Sequence, residues 1–385
     1  MKKVFLSYLA PAATAWSLFA LSPVFADVQL GAKMLWDHGY YQGVYHKEGR
    51  SGNDNEIRLV RLYLKAQLDK HWEGMLQTQI TEHRGLTNTT WKEVFLKYKG
   101  LGPFDITLGK RKEPFGLQML VNVERVLFLE RAMISSAFAP ERSIGVTLFT
   151  APGKSSFELG VYSQNDTGNG SFAKGSPQAD NAEQDTYAVT GRATLTPWQQ
   201  DHSLFHLGLA GSFRDFGGND FQVKQRAEMH FGQSIVTSGI TPANNLAILG
   251  VEAAGLFGPF SFQSEYMQLL VDAEDGAEDA KYDGYYVQLG YLLTNGYRAY
   301  NKGKFGAVKP LSKYGAWQLM GRYSVLNAAD NDAGIEAENI TLGLNWFPNT
   351  SARISANYIM TQLDGADKPE KDDGDAFTLR FQYVF

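Results

Sequence analysis

Between Gly284 and Ala329 the chain carries six basic residues, Arg298, Lys302, Lys304, Lys309, Lys313 and Arg322, and no acidic one. A second basic stretch, Glu56 to Arg142, holds 14 Lys and Arg against 10 Asp and Glu, inside a 385-residue chain whose formal charge is −5. The acids gather elsewhere, most densely in Asp272-Ala273-Glu274-Asp275-Gly276-Ala277-Glu278-Asp279. Ammonium and guanidinium groups lining a partly dehydrated passage replace the hydration of an anion and repel cations, so this segregation points to an anion path. Other chemistries find no foothold. There is no Gly-x-Ser-x-Gly and no His-Glu-x-x-His, and cysteine is absent. Of seven histidines only His202 and His206 stand four apart, a spacing that on a strand is too wide for a close metal pair. Asp37-His38 and Glu82-His83-Arg84 sit at expected loop starts and read as solvated. A net negative chain is a poor ligand for nucleic acid. The expectation is therefore no enzyme, no cofactor, no metal and no nucleic-acid partner.

A passage for ions needs a wall. No segment beyond the N-terminal one approaches 18 unbroken apolar residues, and the mean hydropathy is a modest −0.28 with 13% aromatics. Only helices and closed barrels satisfy every backbone polar group in lipid, so a membrane-spanning form of this chain is a barrel. The last nine residues, Phe377 to Phe385, alternate Phe377, Leu379, Phe381, Tyr383 and Phe385 with Thr378, Arg380, Gln382 and Val384. Successive side chains on a strand face opposite ways, which gives one greasy aromatic face and one polar face. At the other end Lys2 and Lys3 precede an apolar run from Val4 to Leu21, with Val24-Phe25-Ala26 before Asp27. This reads as a secretory signal peptide over residues 1–26, leaving a barrel domain over 27–385 bound for the cell outer membrane. Pro11 and the shortness of the apolar run argue against a membrane anchor.

Alternation between turn-rich stretches yields seventeen candidate strands, but single-chain bacterial barrels have an even number. Short turns such as Gly100-Leu101-Gly102, Ala151-Pro152-Gly153-Lys154, Gly258-Pro259 and Pro348-Asn349 should alternate with long external loops. That parity fails only at Val223 to Phe231, which is removed and assigned to an external loop from Asp215 to Leu246. The expected fold is all-β: a 16-stranded antiparallel transmembrane barrel with both ends on the periplasmic side and loops folded into the lumen. Besides Asp215 to Leu246, two connections are abnormal. Lys112 to Ser143 is long and has helical apolar spacing over Glu124 to Ala137, and Asn295 to Gly315 falls where a tight turn belongs. Any of the three could enter the lumen or merely cover the mouth.

Alternation also nominates the lining. With Val60, Leu62, Leu64, Ala66 and Leu68 in lipid, Arg61, Tyr63, Lys65 and Gln67 turn inward. By the same rule Lys97, Arg111, Arg192, Arg214, Arg322 and Arg380 face the lumen beside outward Leu96, Ile106, Val189, Leu209, Tyr323 and Phe381. Any aqueous barrel has charged inward residues, and most of them only hold water.

The run Leu108-Gly109-Lys110-Arg111-Lys112-Glu113-Pro114-Phe115-Gly116-Leu117, followed by Phe128-Leu129-Glu130-Arg131, resembles the core of the phosphate-selective porin O and P family. So do Gly284-Tyr285-Tyr286-Val287-Gln288-Leu289-Gly290-Tyr291, Gly315-Ala316-Trp317-Gln318 leading to Arg322-Tyr323, Gly343-Leu344-Asn345-Trp346, Ser355-Ala356-Asn357-Tyr358 and the final Arg380 to Phe385. The resemblance implies a homotrimer of barrels passing small inorganic anions, phosphate or similar, by diffusion, in contact with outer-membrane lipid and lipopolysaccharide. It implies that the third and fifth external loops and the seventh periplasmic turn fold inward. It matches Arg61 and Tyr63 to a constriction pair, Arg131 to the third loop's Glu-Arg motif, and Lys224 and Arg226 to a basic ladder on the fifth loop. The chain departs from the pattern at Met119, where a lysine is expected, at Val121 to Val123, and at Gln268, where arginines are expected. The candidate lining is thus Arg61, Tyr63, Lys65, Arg111, Arg131, Arg214, Lys224, Arg226, Arg322 and Arg380. A passive, anion-preferring porin is the reading; a weakly selective diffusion porin and a pore-less structural or adhesive barrel are the alternatives.

Overall fold

Backbone groups inside a bilayer have no water to bond, so each alternating segment pairs with a neighbour and the first pairs with the last. A computed structural model of the protein describes residues 27–46, 48–83, 86–163 and 186–385. The expected signal peptide, Arg84 and the whole loop Gln164 to Asp185 lie outside the described residues. The strands are β1 (Asp27–Tyr41), β2 (Gly52–Gln67), β3 (Trp72–His83), β4 (Leu86–Leu101), β5 (Phe104–Lys112), β6 (Arg142–Thr150), β7 (Ser155–Ser163), β8 (Tyr187–Gln200), β9 (Ser203–Phe221) and β10 (Lys224–Gln225). They continue with β11 (Val236–Thr237), β12 (Thr241–Phe257), β13 (Phe260–Ala273), β14 (Ala280–Leu292), β15 (Gly296–Asn301), β16 (Lys304–Pro310), β17 (Ala316–Asn327), β18 (Glu336–Phe347), β19 (Ala352–Asp364) and β20 (Asp373–Val384). Sixteen of them close into an antiparallel barrel, while β10–β11 and β15–β16 form separate two-stranded sheets. Closure runs through β1 and β20, from Lys33 opposite Val384 to Tyr41 opposite Ala376.

The strands alternate as expected. On β20, Phe377 and Phe381 are 42% and 39% exposed on the outside, whereas Thr378, Arg380 and Gln382 are buried inside. The segment Val223 to Phe231 is indeed not a wall strand; it holds only the short β10, paired with β11 inside the loop. That loop is shorter than Asp215 to Leu246 because β9 and β12 run on to Phe221 and Thr241. The inner hairpin β15–β16 turns at Lys302-Gly303, with φ of 45° and 80°, the left-handed pair that a two-residue hairpin turn requires. It occupies the sixth strand-to-strand turn on its side, not the seventh.

The long connection 113–141 is less helical than its spacing suggests. Helix α1 covers Leu117–Leu120 and α2 covers Met133–Ala137, but the chain between them makes only one 3-10 turn, Val123–Arg125, and is otherwise irregular. Wall side chains take the carbonyls that a helix would use internally. Arg353 Nη1 donates to Val126 O at 2.6 Å, Asn345 Nδ2 to Leu127 O at 2.9 Å and Arg322 Nη1 to Glu130 O at 3.1 Å. Arg380 Nη1 donates to Leu129 O, and Gln382 Nε2 to Glu124 O at 2.9 Å. Backbone polar groups must be paired somewhere, and here the barrel wall pairs them.

One side of the lumen is filled. Phe115, Met119, Met133, Ile134 and Phe138 of this loop pack with Val44, Tyr45, Val223, Met229 and Val236 of other loops against Leu246, Ile248, Met267, Leu269, Tyr282, Leu326 and Ile359 of the wall. Burying each such side chain contributes about 1.5–3 kcal/mol, enough to hold the loops down.

Candidate functional site

Two of the inward connections, 113–141 and 222–240, bring carboxylates to the wall arginines. Glu113 accepts Arg214 Nη1 at 2.9 Å and Nη2 at 3.1 Å, with Ser143 and Thr190 hydroxyls at 2.6 Å. Glu228, on the loop 222–240, accepts Arg322 Nε at 3.0 Å and Thr341 Oγ1 at 2.8 Å. Arg380 pairs with Asp37 at 2.5 Å and with Glu130 at 2.8 Å. Burial alone would raise the Glu130 carboxyl, but Arg58 and Arg380 hold it well below the usual carboxylate range. Across the wall Arg111 meets Glu158 at 2.5 Å and Lys65 meets Glu73 at 3.2 Å. Arg111, Arg214, Arg322 and Arg380, expected to line the lumen, are each paired with a carboxylate. They face inward as alternation requires, and strand periodicity does not show which carboxylates they meet.

The opposite side, formed by β2 to β6 and the outer edge of loop 113–141, differs. Arg61 is bonded to the Gln79 amide oxygen, with Nε at 3.1 Å, and to no carboxylate among the described residues. Arg131 donates to the carbonyls of Gln118 at 3.1 Å and Val121 at 2.8 Å. Burial pushes the Arg131 guanidinium pKa down; Glu141 pulls it back up in part, and nearby Arg142 lowers it further. Lys112 Nζ donates to Val121 O at 3.1 Å and to Met119 O. Arg61, Lys112, Arg131 and Arg142 lie within electrostatic reach of one another, with Glu93, Glu124, Glu130 and Glu141 also acting on the group. Arg142 Nη2 reaches Glu93 at 3.3 Å. Tyr63 lies flat on the wall over Gly31, where an added Cβ would sit 2.2 Å from the ring. Only glycine leaves room for that ring, and a flat ring keeps the passage clear. Lys224 and Arg226 are exposed on the loop 222–240, Arg226 Nε donating to Gly232 O at 2.9 Å.

Alternation missed two inward basic residues. The β1–β2 register slips between Leu35 and Trp36, leaving Arg58 without an opposite residue, and the β3–β4 register slips between Gln77 and Thr78, leaving Lys92 without one. A bulge of this kind adds a residue to one strand and re-aims side chains. The trace was present in the sequence. Ile57 and Val60, or Trp91 and Val94, cannot both face lipid on a regular strand, because they are an odd number of residues apart.

The hairpin β15–β16 is latched to the wall. His206 Nδ1 meets the Tyr300 hydroxyl at 2.7 Å, and His206 Nε2 meets Glu252 Oε1 at 2.9 Å. Arg192 binds Glu252, with Nε at 3.0 Å, and donates to Gly303 O at 2.8 Å. At its other face Arg298 donates to Arg125 O at 3.0 Å, joining the hairpin to loop 113–141. His202 stacks on Tyr297 with centroids 3.6 Å apart. The departures also find places. Met119 is enclosed in the apolar cluster, and Gln268 faces outward, bonded to the Tyr266 hydroxyl at 3.2 Å.

A closed sixteen-strand barrel with an apolar belt and loops folded inward defines an outer-membrane porin. Solved structures with the same architecture include an anion-selective porin from Comamonas acidovorans, with 10% identity, TM-score 0.59, and 93% of this chain and 99% of that one covered. Another is OprB of Pseudomonas putida, with 12% identity, TM-score 0.56, and 93% and 94% covered. The chain belongs to the phosphate-selective porin O and P family, whose profile matches residues 28–385. It is 26% identical to Porin O of Pseudomonas aeruginosa, over 93% of this chain and 88% of that protein.

Proposed function

We propose that the protein is a passive, anion-preferring porin that admits phosphate or related oxyanions through the basic constriction, as a homotrimer set in outer-membrane lipid and lipopolysaccharide, with residues 1–26 as its export signal. The observation that carries the reading is the group Arg61, Lys112 and Arg131, three cations whose bonds all go to amide or carbonyl oxygens rather than to carboxylates. An uncompensated cation about 6 Å from an ion contributes roughly 1–3 kcal/mol at effective dielectric constants from 80 to 20, enough to favour anions several-fold or more. Arg131 and Arg61 present forked donors suited to oxyanions, and their existing carbonyl and amide bonds hold the forks in place. Lys224 and Arg226, exposed on the loop 222–240, would collect anions from outside. No role in catalysis is assigned to any residue.

The apolar wall at Met267 and Leu269 favours the weakly selective alternative over a strict phosphate channel, because no basic ladder continues along that strand. Reversal potentials in a salt gradient across a planar bilayer test the reading. A potential of the anion-selective sign is expected; cation preference would defeat the anion assignment, and absence of conductance would defeat the pore. Comparing phosphate with chloride as the sole anion separates an oxyanion channel from a weakly selective one.

A further inference from the structure

Lys92 is a residue that strand alternation sends into lipid and the fold delivers to the lumen. Its neighbour Leu96 is 46% exposed on the outside of β4, and a regular strand would place Lys92 on that same face. The slip between β3 and β4 pairs Gln77 with Glu93 and Thr78 with Trp91, so Lys92 has no opposite residue. Trp91 consequently faces lipid, 59% exposed, and Lys92 is only 6% exposed. Lys92 Nζ is not among the fully enclosed polar atoms that lack a partner. The charged groups acting on it are Glu141, Arg142, Arg61 and Lys110, three cations and one carboxylate.

The two bulges put their extra cations to different uses. Arg58 is bound to Glu130 through Nε at 3.0 Å and Nη2 at 3.2 Å, which fastens the tip of loop 113–141. Lys92 makes no hydrogen bond or ion pair with any described residue. Its two nearest companions are engaged, Arg61 with Gln79 and Arg142 with Glu93 at 3.3 Å. Of this group the Lys92 ammonium alone has all its donors available to a ligand, and an ammonium on a flexible stem exchanges ligands readily. We propose that Lys92 is a specificity-determining residue of the channel, the group that directly contacts an anion in the constriction while the fixed arginines supply the surrounding field. This rests on the anion-channel reading above. A bulge here is then a functional device: it inserts a cation at mid-strand without removing Trp91 from the lipid belt.

The test compares the wild-type trimer with K92Q, K92R and K92M in planar bilayers, reading reversal potential in potassium chloride and in potassium phosphate. K92M guards against collapse of the bulge, because Met is at home in lipid if the residue turns outward. The anion-to-cation permeability ratio is expected to fall about threefold or more in K92Q and K92M and to persist in K92R, as a unit charge near the ion requires. Unchanged ratios in K92Q and K92M with an anion-preferring wild type would overturn the role of Lys92 and leave the channel reading standing. A wild type without anion preference would overturn both.

Discussion

Arg322 and Arg61 both stand on the inner face of the barrel, and both belong to basic stretches visible in the sequence. Around Arg322 a loop has folded in and set Glu228 against the guanidinium, with Ser324 and Thr341 completing the carboxylate's bonds. Around Arg61 the partner is an amide oxygen. A guanidinium bound to a carboxylate presents a dipole to a passing ion; one bound to an amide still presents a full charge. The same residue type therefore fastens loops on the filled side of the lumen and sets the field on the open side. The filled side needs both components, since apolar packing holds the loops down while buried ion pairs fix their register. On the open side Arg61 and Arg131 are held instead by neutral oxygens, while Arg142 keeps Glu93 and Lys65 keeps Glu73.

The largest consequence falls on the clamped side. R214M leaves Glu113 buried without its charge partner, and breaking one half of such a pair costs about 3–5 kcal/mol. A clear fall in the unfolding temperature is expected, followed by circular dichroism, with noisier conductance but the same sign of selectivity. Stability equal to wild type would mean that Arg214 is not a clamp. Next in size is the open side. R61A and R131A should each lower anion preference by about fivefold or more, in line with about 1–3 kcal/mol per charge, and their unfolding temperatures should move less than that of R214M. If R131A melts as early as R214M, the division between the two sides is blurred.

A smaller effect is expected at the latch. Y300F removes the hydroxyl that joins His206 to Thr196, worth about 1 kcal/mol, and should appear as added flicker in single-channel records rather than as a shift in selectivity. The smallest is a null response to moderate acid. Burial alone would raise the Glu124 carboxyl, but the Lys33 ammonium at 2.8 Å brings it down to about 2. A carboxylate whose folded value lies below its unfolded value of about 4.3 contributes stability that is complete above 4.3 and is lost as pH falls toward 2. The Lys33–Glu124 tie should thus survive from pH 7 to 5, with conductance steady over that range; a marked change within it would mean that another titrating group governs loop 113–141.

Much of this architecture could be read from the chain. Seventeen alternating segments, one parity violation at Val223 to Phe231 and three overlong connections were enough to reach sixteen strands with inward loops, because period two and turn spacing are local properties. The partners of the arginines were not local. Arg214 and Glu113 are about a hundred residues apart, as are Arg322 and Glu228, and nothing in strand periodicity says which inward cation a loop will neutralise. The helix expected over Glu124 to Ala137 shrank to α2 for the same reason, since distant side chains such as Arg353 and Asn345 took its carbonyls. The bulges lay between these extremes. Trp91 and Val94 recorded one of them in their spacing, but only a registered partner strand shows that Lys92 is the extra residue.

The claim that unneutralised charge on the open side sets selectivity is tested most directly by reversal potentials of R61A/R131A and R322M, recorded in the same salt gradient. The account predicts that the first variant loses most of the anion preference while R322M keeps the wild-type value. Equal losses in the two, or a loss confined to R322M, would contradict it.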